Sequence, residues 1–215
     1  TPQGAPISPL LSNLYMRRFL AGWKVLGHER RLKAKIVNYA DDFVICCHGT
    51  ADEAMAEMRS MMGKLKLTVN EQKTRLCRVP ADSFDFLGYT IGRCYSPKTG
   101  RAYIGTRPSK KSVQRVCRRI SELTRRRWES KDAEDRVGHL NRLLAGWGNY
   151  FSLGPVSKAY RAVNAHVCLR LRRWLCQKHK VPSRGTSRYP DVYLYEKLGL
   201  APLRTRGRKF SWANA

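Results

Sequence analysis

Between residues 110 and 178 the chain carries a single proline, Pro155, and its apolar residues return every three or four positions. That spacing calls for helices, since a half-buried strand would alternate with a period of two. Val113, Cys117, Ile120 and Leu123 make a first stripe, within a basic helix around 110–128. Leu140, Leu143, Leu144, Trp147, Tyr150 and Phe151 make a second, which predicts a helix over 133–151 ended by Gly154 and Pro155. Tyr160, Val163, Val167, Leu171 and Trp174 make a third and predict a helix over 156–178. Three amphipathic helices with short connections predict a small bundle. Trp147, Tyr150, Phe151 and Trp174 stand at core spacing and read as packing residues.

The residues before 105 read differently. "SPLLSNLYMRRFL" starts a helix, with Ser8 as the expected N-cap, Pro9 in the first helical position, and Leu10, Leu11, Leu14 and Tyr15 as its stripe. Residues 35–48 predict two strands around a tight turn at 40–42. A further helix follows, with Thr50 and Glu53 at capping-box spacing and Met55, Met58, Met62 and Leu65 on its apolar side. Short extended pieces are expected near 75–79 and 84–91, and "YSPKTGRAY" reads as a hairpin tip. The expected fold class is α+β: a mixed part over 1–105 and an all-α part over 106–215.

Charge narrows the partners. Lys plus Arg number 42 against 16 acidic residues, a net +26. An excess of this size implies a polyanion, and nucleic acid fits best. An acidic membrane would call for one amphipathic basic helix, whereas the charge here runs over most of the chain. It is densest over 107–131, which holds ten basic residues against Glu122 and Glu129. Candidate phosphate-binding residues are Lys110, Lys111, Arg115, Arg118, Arg119, Arg125, Arg126 and Arg127, with Trp128 beside them, and Arg170, Arg172, Arg173 and Lys178 on the third helix. Ordinary solvated helix faces mix signs, and these barely do. The seven cysteines form no Cys-x-x-Cys pair and the five histidines no helical ligand pair, which points away from zinc and disulfides and towards a reducing cytoplasm. No apolar run approaches the roughly 18 residues of a membrane span. The chain begins at Thr1 and not at Met, which reads as a piece of something longer.

The acids are few, yet two of them are adjacent. Asp41 and Asp42 lie inside "IVNYADDFVICC", at the expected hairpin tip. Taken alone, such a pair is what a solvated turn carries. Its other use is chemical. Two carboxylates this close stay ionised when a positive charge is held between them. Mg²⁺ takes oxygen ligands from one or two carboxylates together with substrate phosphates.

Four stretches decide between the two: "TPQGAPISPLLSNLYM" at 1–16, "YADD" at 39–42, "LKLTVNEQKT" at 65–74 and "FDFLGYTI" at 84–91. In order and spacing they resemble the palm of reverse transcriptases. The downstream "LNRLLAGWGNYFSLG" and "LRLRRWL" resemble the maturase, or thumb, domain of group II intron proteins. The resemblance implies a partial palm over 1–105, followed by a three-helix maturase domain (domain X) over 106–215. It implies that Asp41 and Asp42 hold two catalytic Mg²⁺ ions, which Mn²⁺ can replace. It also places Tyr39 beside the primer terminus, Gln3 and Gly4 along the incoming nucleotide and template, and Lys73 near the triphosphate. Phe86, Leu87 and Gly88 become the primer grip, with Phe86 and Leu87 core residues in any reading and the Gly88 backbone the functional part. Asn70 can be a turn residue only.

Its implied partners are intron RNA or an RNA template, a DNA or RNA primer and dNTPs, with no membrane. A homodimer is left open. The implied location is a bacterial cytoplasm, in association with nucleic acid. The implied reaction is RNA-directed DNA synthesis, with a maturase role in intron splicing and mobility. Such polymerases also use an aspartate from a second strand, upstream of the Gln3 loop, and none of the acidic residues precedes Glu29. The 215 residues by themselves are therefore expected not to polymerise. Two other readings share the motifs: a non-enzymatic RNA-binding splicing factor that keeps the palm as scaffold, and a reverse transcriptase of a retron, diversity-generating element, CRISPR or other defence locus.

Overall fold

The computed structural model describes residues 6–96, 98–126, 132–182 and 185–205. Gln3, Gly4, Arg127 and Trp128 lie outside the described residues. The chain is α+β and divides into two compact units, 1–77 and 78–215.

The first unit runs α1 (Ser8–Val25), α2 (His28–Arg31), β1 (Lys35–Tyr39), β2 (Asp42–Cys46) and α3 (Ala51–Lys64). Its core is Met16, Phe19 and Trp23 of α1, Leu32 and Ala34 after α2, and Ala54, Met58, Met61 and Met62 of α3. The buried Trp23 indole donates to the Ala34 carbonyl at 3.2 Å, which satisfies the one polar atom that this ring takes inside. β1 and β2 pair antiparallel, so Ile36, Ile45 and Phe43 share the face that packs on this core.

Three local expectations are corrected here. Ile7, not Ser8, holds the α1 N-cap, and Ser8 is already helical. The stripe of Leu10, Leu14 and Tyr15 faces outward (Leu10 is 67% exposed), while Met16, Phe19 and Trp23 are the buried set. Thr50 does cap α3, but its hydroxyl donates to the Leu32 carbonyl at 2.5 Å instead of closing a capping box. That bond ties the start of α3 to the turn after α2.

The second unit opens with a three-stranded antiparallel sheet, β3 (Phe84–Phe86), β4 (Tyr89–Tyr95) and β5 (Ala102–Pro108), with β4 in the centre. No strand forms at 75–79. β5 runs almost directly into α4 (Lys110–Leu123), followed by α5 (Ala133–Tyr150), α6 (Ser157–Lys178) and a π-helical turn, Tyr193–Lys197. Ser109 caps α4, accepting from the Ser112 amide at 3.1 Å. The predicted inner faces are borne out for α6, where Tyr160, Val163, Val167, Leu171 and Trp174 are all buried. They join Val116 and Ile120 of α4, Val137, Leu140 and Leu144 of α5, and Leu194 and Leu200 from the C-terminal segment. Each such side chain removed from water contributes about 1.5–3 kcal/mol before entropy is counted. Gly154 ends the α5–α6 connection with φ +72°, and a Cβ there would run into the Thr106 carbonyl of β5. Glycine is needed on both counts. Among the described residues no helix is long and apolar enough to cross a membrane.

Candidate active-site tip and nucleic-acid interface

The β1–β2 hairpin turns through two residues, Ala40 and Asp41, since Tyr39 and Asp42 are cross-strand partners. Ala40 takes φ +53°, the left-handed conformation that such a tight turn requires. Asp41 is therefore at the apex, and Asp42 is the first residue of β2. Tyr39 and Asp42 share the face opposite the core, together with Val37 and Val44. Tyr39 is 65% exposed, and both carboxylates are exposed. Neither has an ion-pair partner among the described residues. The donor set is two hard oxygen-bearing groups on a hydrogen-bonded hairpin, which suits a hard divalent cation that keeps water and phosphate as its other ligands. Among the described residues no third His, Cys, Asp or Glu joins them.

Lys73, in the same unit, is exposed. Asn70 organises the turn before it: its carbonyl accepts from the Lys73 and Thr74 amides at 3.1 and 2.9 Å, and its side chain accepts from Lys73 at 3.2 Å. The turn role of Asn70 is real, and it sets the backbone that carries Lys73.

A second tight turn lies in the other unit. Leu87 and Gly88 join β3 to β4 with φ +49° and +78°, so both central residues are left-handed. Leucine costs energy there, and the surroundings hold it. The Leu87 carbonyl accepts from the Tyr150 hydroxyl at 3.0 Å. The Gly88 carbonyl accepts from the Ser109 amide at 2.9 Å and the Ser112 hydroxyl at 2.8 Å. A Cβ on Gly88 would meet Ser112 Oγ at 2.9 Å and the Phe151 ring at 3.0 Å. Two expectations change. Leu87 is 36% exposed and is not a core residue, whereas Phe86 is half-buried. The Gly88 carbonyl is engaged with the first turn of α4. Sequence reasoning passed over Ser112 and Tyr150, the two side chains that hold this turn. Tyr150 is 54% exposed, yet its ring lies 4.8 Å from that of Phe151 and 6.0 Å from that of Tyr89, and its backbone carbonyl accepts from the Tyr89 hydroxyl at 2.6 Å.

The basic residues fall into two groups. Lys110, Lys111, Arg115, Arg118, Arg119, Arg125 and Arg126 on and after α4, and Arg173 on α6, are exposed. Arg119 pairs with Glu122 at 2.8 Å, and this hydrogen bond pulls the Glu122 carboxyl below its ordinary range. Arg170 and Arg172 are half-buried and hydrogen-bonded within the fold. Arg170 donates to the Thr124 hydroxyl and to the carbonyls of Ser121 and Thr124, at 3.1–3.2 Å. Those carbonyls end α4, which has no basic residue of its own in its last turn, and a cation there completes the helix terminus. Arg172 holds the Tyr189 carbonyl at 2.9 Å and pairs with Asp191. One clue was available: Arg170 stands between Val167, Leu171 and Trp174, on the edge of the inner face.

Known proteins match along both units. The model of the reverse transcriptase (RNA-dependent DNA polymerase) family matches residues 1–91, and that of the group II intron maturase-specific domain matches 113–190. A carboxylate-tipped hairpin lies inside the first match and a basic helical bundle inside the second. Together the two matches support a group II intron reverse transcriptase/maturase. Protein YkfC of Escherichia coli (strain K12) is 32% identical to this chain over 142 residues, which takes in 52% of the chain and 37% of YkfC. The match thus spans little more than a third of that relative's length.

Proposed function

We propose that this chain contributes to RNA-directed DNA synthesis and to maturase assistance of a group II intron, with residues 1–105 acting as palm and 106–215 as the thumb-like maturase domain. The observation that carries the reading is the exposed Asp41–Asp42 tip, which no described cation neutralises in a chain of net charge +26. Asp41 and Asp42 would hold Mg²⁺, two ions in the complete site, with Mn²⁺ as a substitute. Bound there, the metal would lower the pKa of the primer 3′-hydroxyl and steady charge on the attacked α-phosphate of the dNTP. Tyr39, on the same face as Asp42, packs beside the primer terminus. Lys73 presents a point charge to the triphosphate. Gln3 and Gly4 line the nucleotide and template. The turn at 86–88 holds the primer strand. The exposed cations of α4, with Arg173, neutralise phosphates of intron or template RNA.

The test is primer extension on an RNA template by the full protein in which this sequence occurs. Asp41→Asn is expected to abolish cDNA synthesis while RNA affinity stays within about twofold, under roughly 0.5 kcal/mol. Retained synthesis would remove Asp41 from the metal site. A wild-type protein that binds RNA but extends no primer with either metal would leave the scaffold-type splicing factor as the better reading. RNA affinity should also fall steeply with salt, with a log–log slope of several units if about five to ten phosphates are neutralised. A flat response would sink the role given to α4.

A further inference from the structure

The turn at Leu87–Gly88 forms one wall of a groove of about 630 Å³ inside the second unit. α4 contributes Arg115 and Arg119 to it, and the end of α5 contributes Trp147, Tyr150 and Phe151. A volume of this order is typical of small-molecule sites, which run from about 300 to 1,000 Å³. Its lining pairs two cations with aromatic rings, the combination that takes one nucleotide: guanidinium for the phosphate, ring face for the base.

Two details favour such an occupant. Lys111, Arg115 and Arg119 repeat every four residues, so they line up along one side of α4 and repel one another unless an anion lies among them. Arg119 is partly neutralised by Glu122, but Arg115 has no ion-pair partner among the described residues.

We propose that this groove receives a single unpaired RNA nucleotide, its base against Tyr150 and Trp147 and its phosphate on Arg115. The proposal rests on reading α4 as an RNA-binding face, and it adds a preference that charge alone does not give. A duplex keeps its bases stacked inside, so only a single strand or a bulge can fill the site.

The experiment uses the full chain and two probes of equal length: a single-stranded RNA with one 4-thiouridine, and a blunt RNA duplex. Arg115→Gln is expected to weaken single-strand binding at least fivefold and duplex binding less than twofold. Irradiation of the wild-type complex should cross-link Tyr150 or Trp147. Equal weakening of both probes, with cross-links elsewhere, would overturn the pocket and leave α4 as a general phosphate-binding face. Failure of the wild-type chain to bind either probe would overturn the RNA reading of α4, and the pocket with it. The cross-link is read on unaltered protein, so a folding defect in a variant cannot imitate it.

Discussion

The two tight hairpin turns make opposite use of the same backbone device. At Ala40–Asp41 a left-handed residue lets the chain reverse in two positions, and the side chains left at the tip are exposed. At Leu87–Gly88 two left-handed residues do the same, but both carbonyls are bound, by Tyr150 on one side and by Ser109 and Ser112 on the other. The first turn leaves its side chains open to solvent. The second is arranged so that its backbone cannot move relative to α4 and α5. A tip that works by carboxylates needs access, whereas one that works by position needs to be held.

The sharpest way to break this contrast is to add or remove one methyl group. Gly88→Ala places a Cβ in a left-handed residue, against Ser112 and Phe151. It should destabilise the second unit by about 3 kcal/mol, from roughly 1–2 of left-handed strain and the remainder from crowding. Urea unfolding would read this, and a loss below about 1 kcal/mol would mean that the turn is not held as described. Ala40→Gly runs the other way. It relieves strain at φ +53° and should leave stability within about 1 kcal/mol of the wild type.

Arg170→Ala comes next. It removes a charged donor from the end of α4 and should cost about 2 kcal/mol of stability, with RNA affinity changed less than twofold. Arg118→Ala should do the reverse. If both arginines behaved alike in thermal melts and in RNA binding, the division into structural and phosphate-facing cations would fail.

The smallest effect is one of pH. His166 on α6 has its Nε2 3.0 Å from the Cys117 carbonyl and 2.9 Å from the Ser121 hydroxyl. Burial depresses its pKa, the Arg170 and Arg173 charges depress it further, and the Cys117 bond opposes them. A folded-state pKa below the unfolded value of about 6.5 means that the unfolded chain binds the proton first. The stability from neutral His166 is then present above that pH and lost as pH falls below it. Melting of the wild type should shift downward between pH 7.5 and 5.5, and His166→Gln should shrink that shift. An unchanged difference would assign the effect to other groups.

Much of this was legible beforehand, for physical reasons. The α5 and α6 helices were visible because one face of each is buried, and burial writes a period into the sequence. The carboxylate hairpin was visible because alternation and turn residues coincide at 39–42. What escaped depends on tertiary partners. α1 carries apolar residues on two sides, and periodicity does not say which side meets Met58 and Met62. Thr50 has capping-box spacing, but its hydroxyl donates to the Leu32 carbonyl once α2 has turned the chain. Arg170 and Arg118 are the same residue type, and only the fold shows that one folds back onto a helix end. Tyr150 matched the core period of α5, yet it is 54% exposed and its hydroxyl reaches the Leu87 carbonyl, a partner far away in sequence. Among the described groups, nothing local marks Ser112 as a partner of Gly88, because 24 residues separate them.

The bonds from Ser109 and Ser112 to Gly88, and the fit of Gly154 under Thr106, have a practical side. They stitch the strands to the helices across the place where the sequence changes character. Anyone wishing to express the helical part by itself would cut that seam by starting at 106, stripping α4 of the acceptor for its first turn and leaving Thr106, on which the α5–α6 connection rests, without its partner strand. A start at 78 keeps the stitches whole.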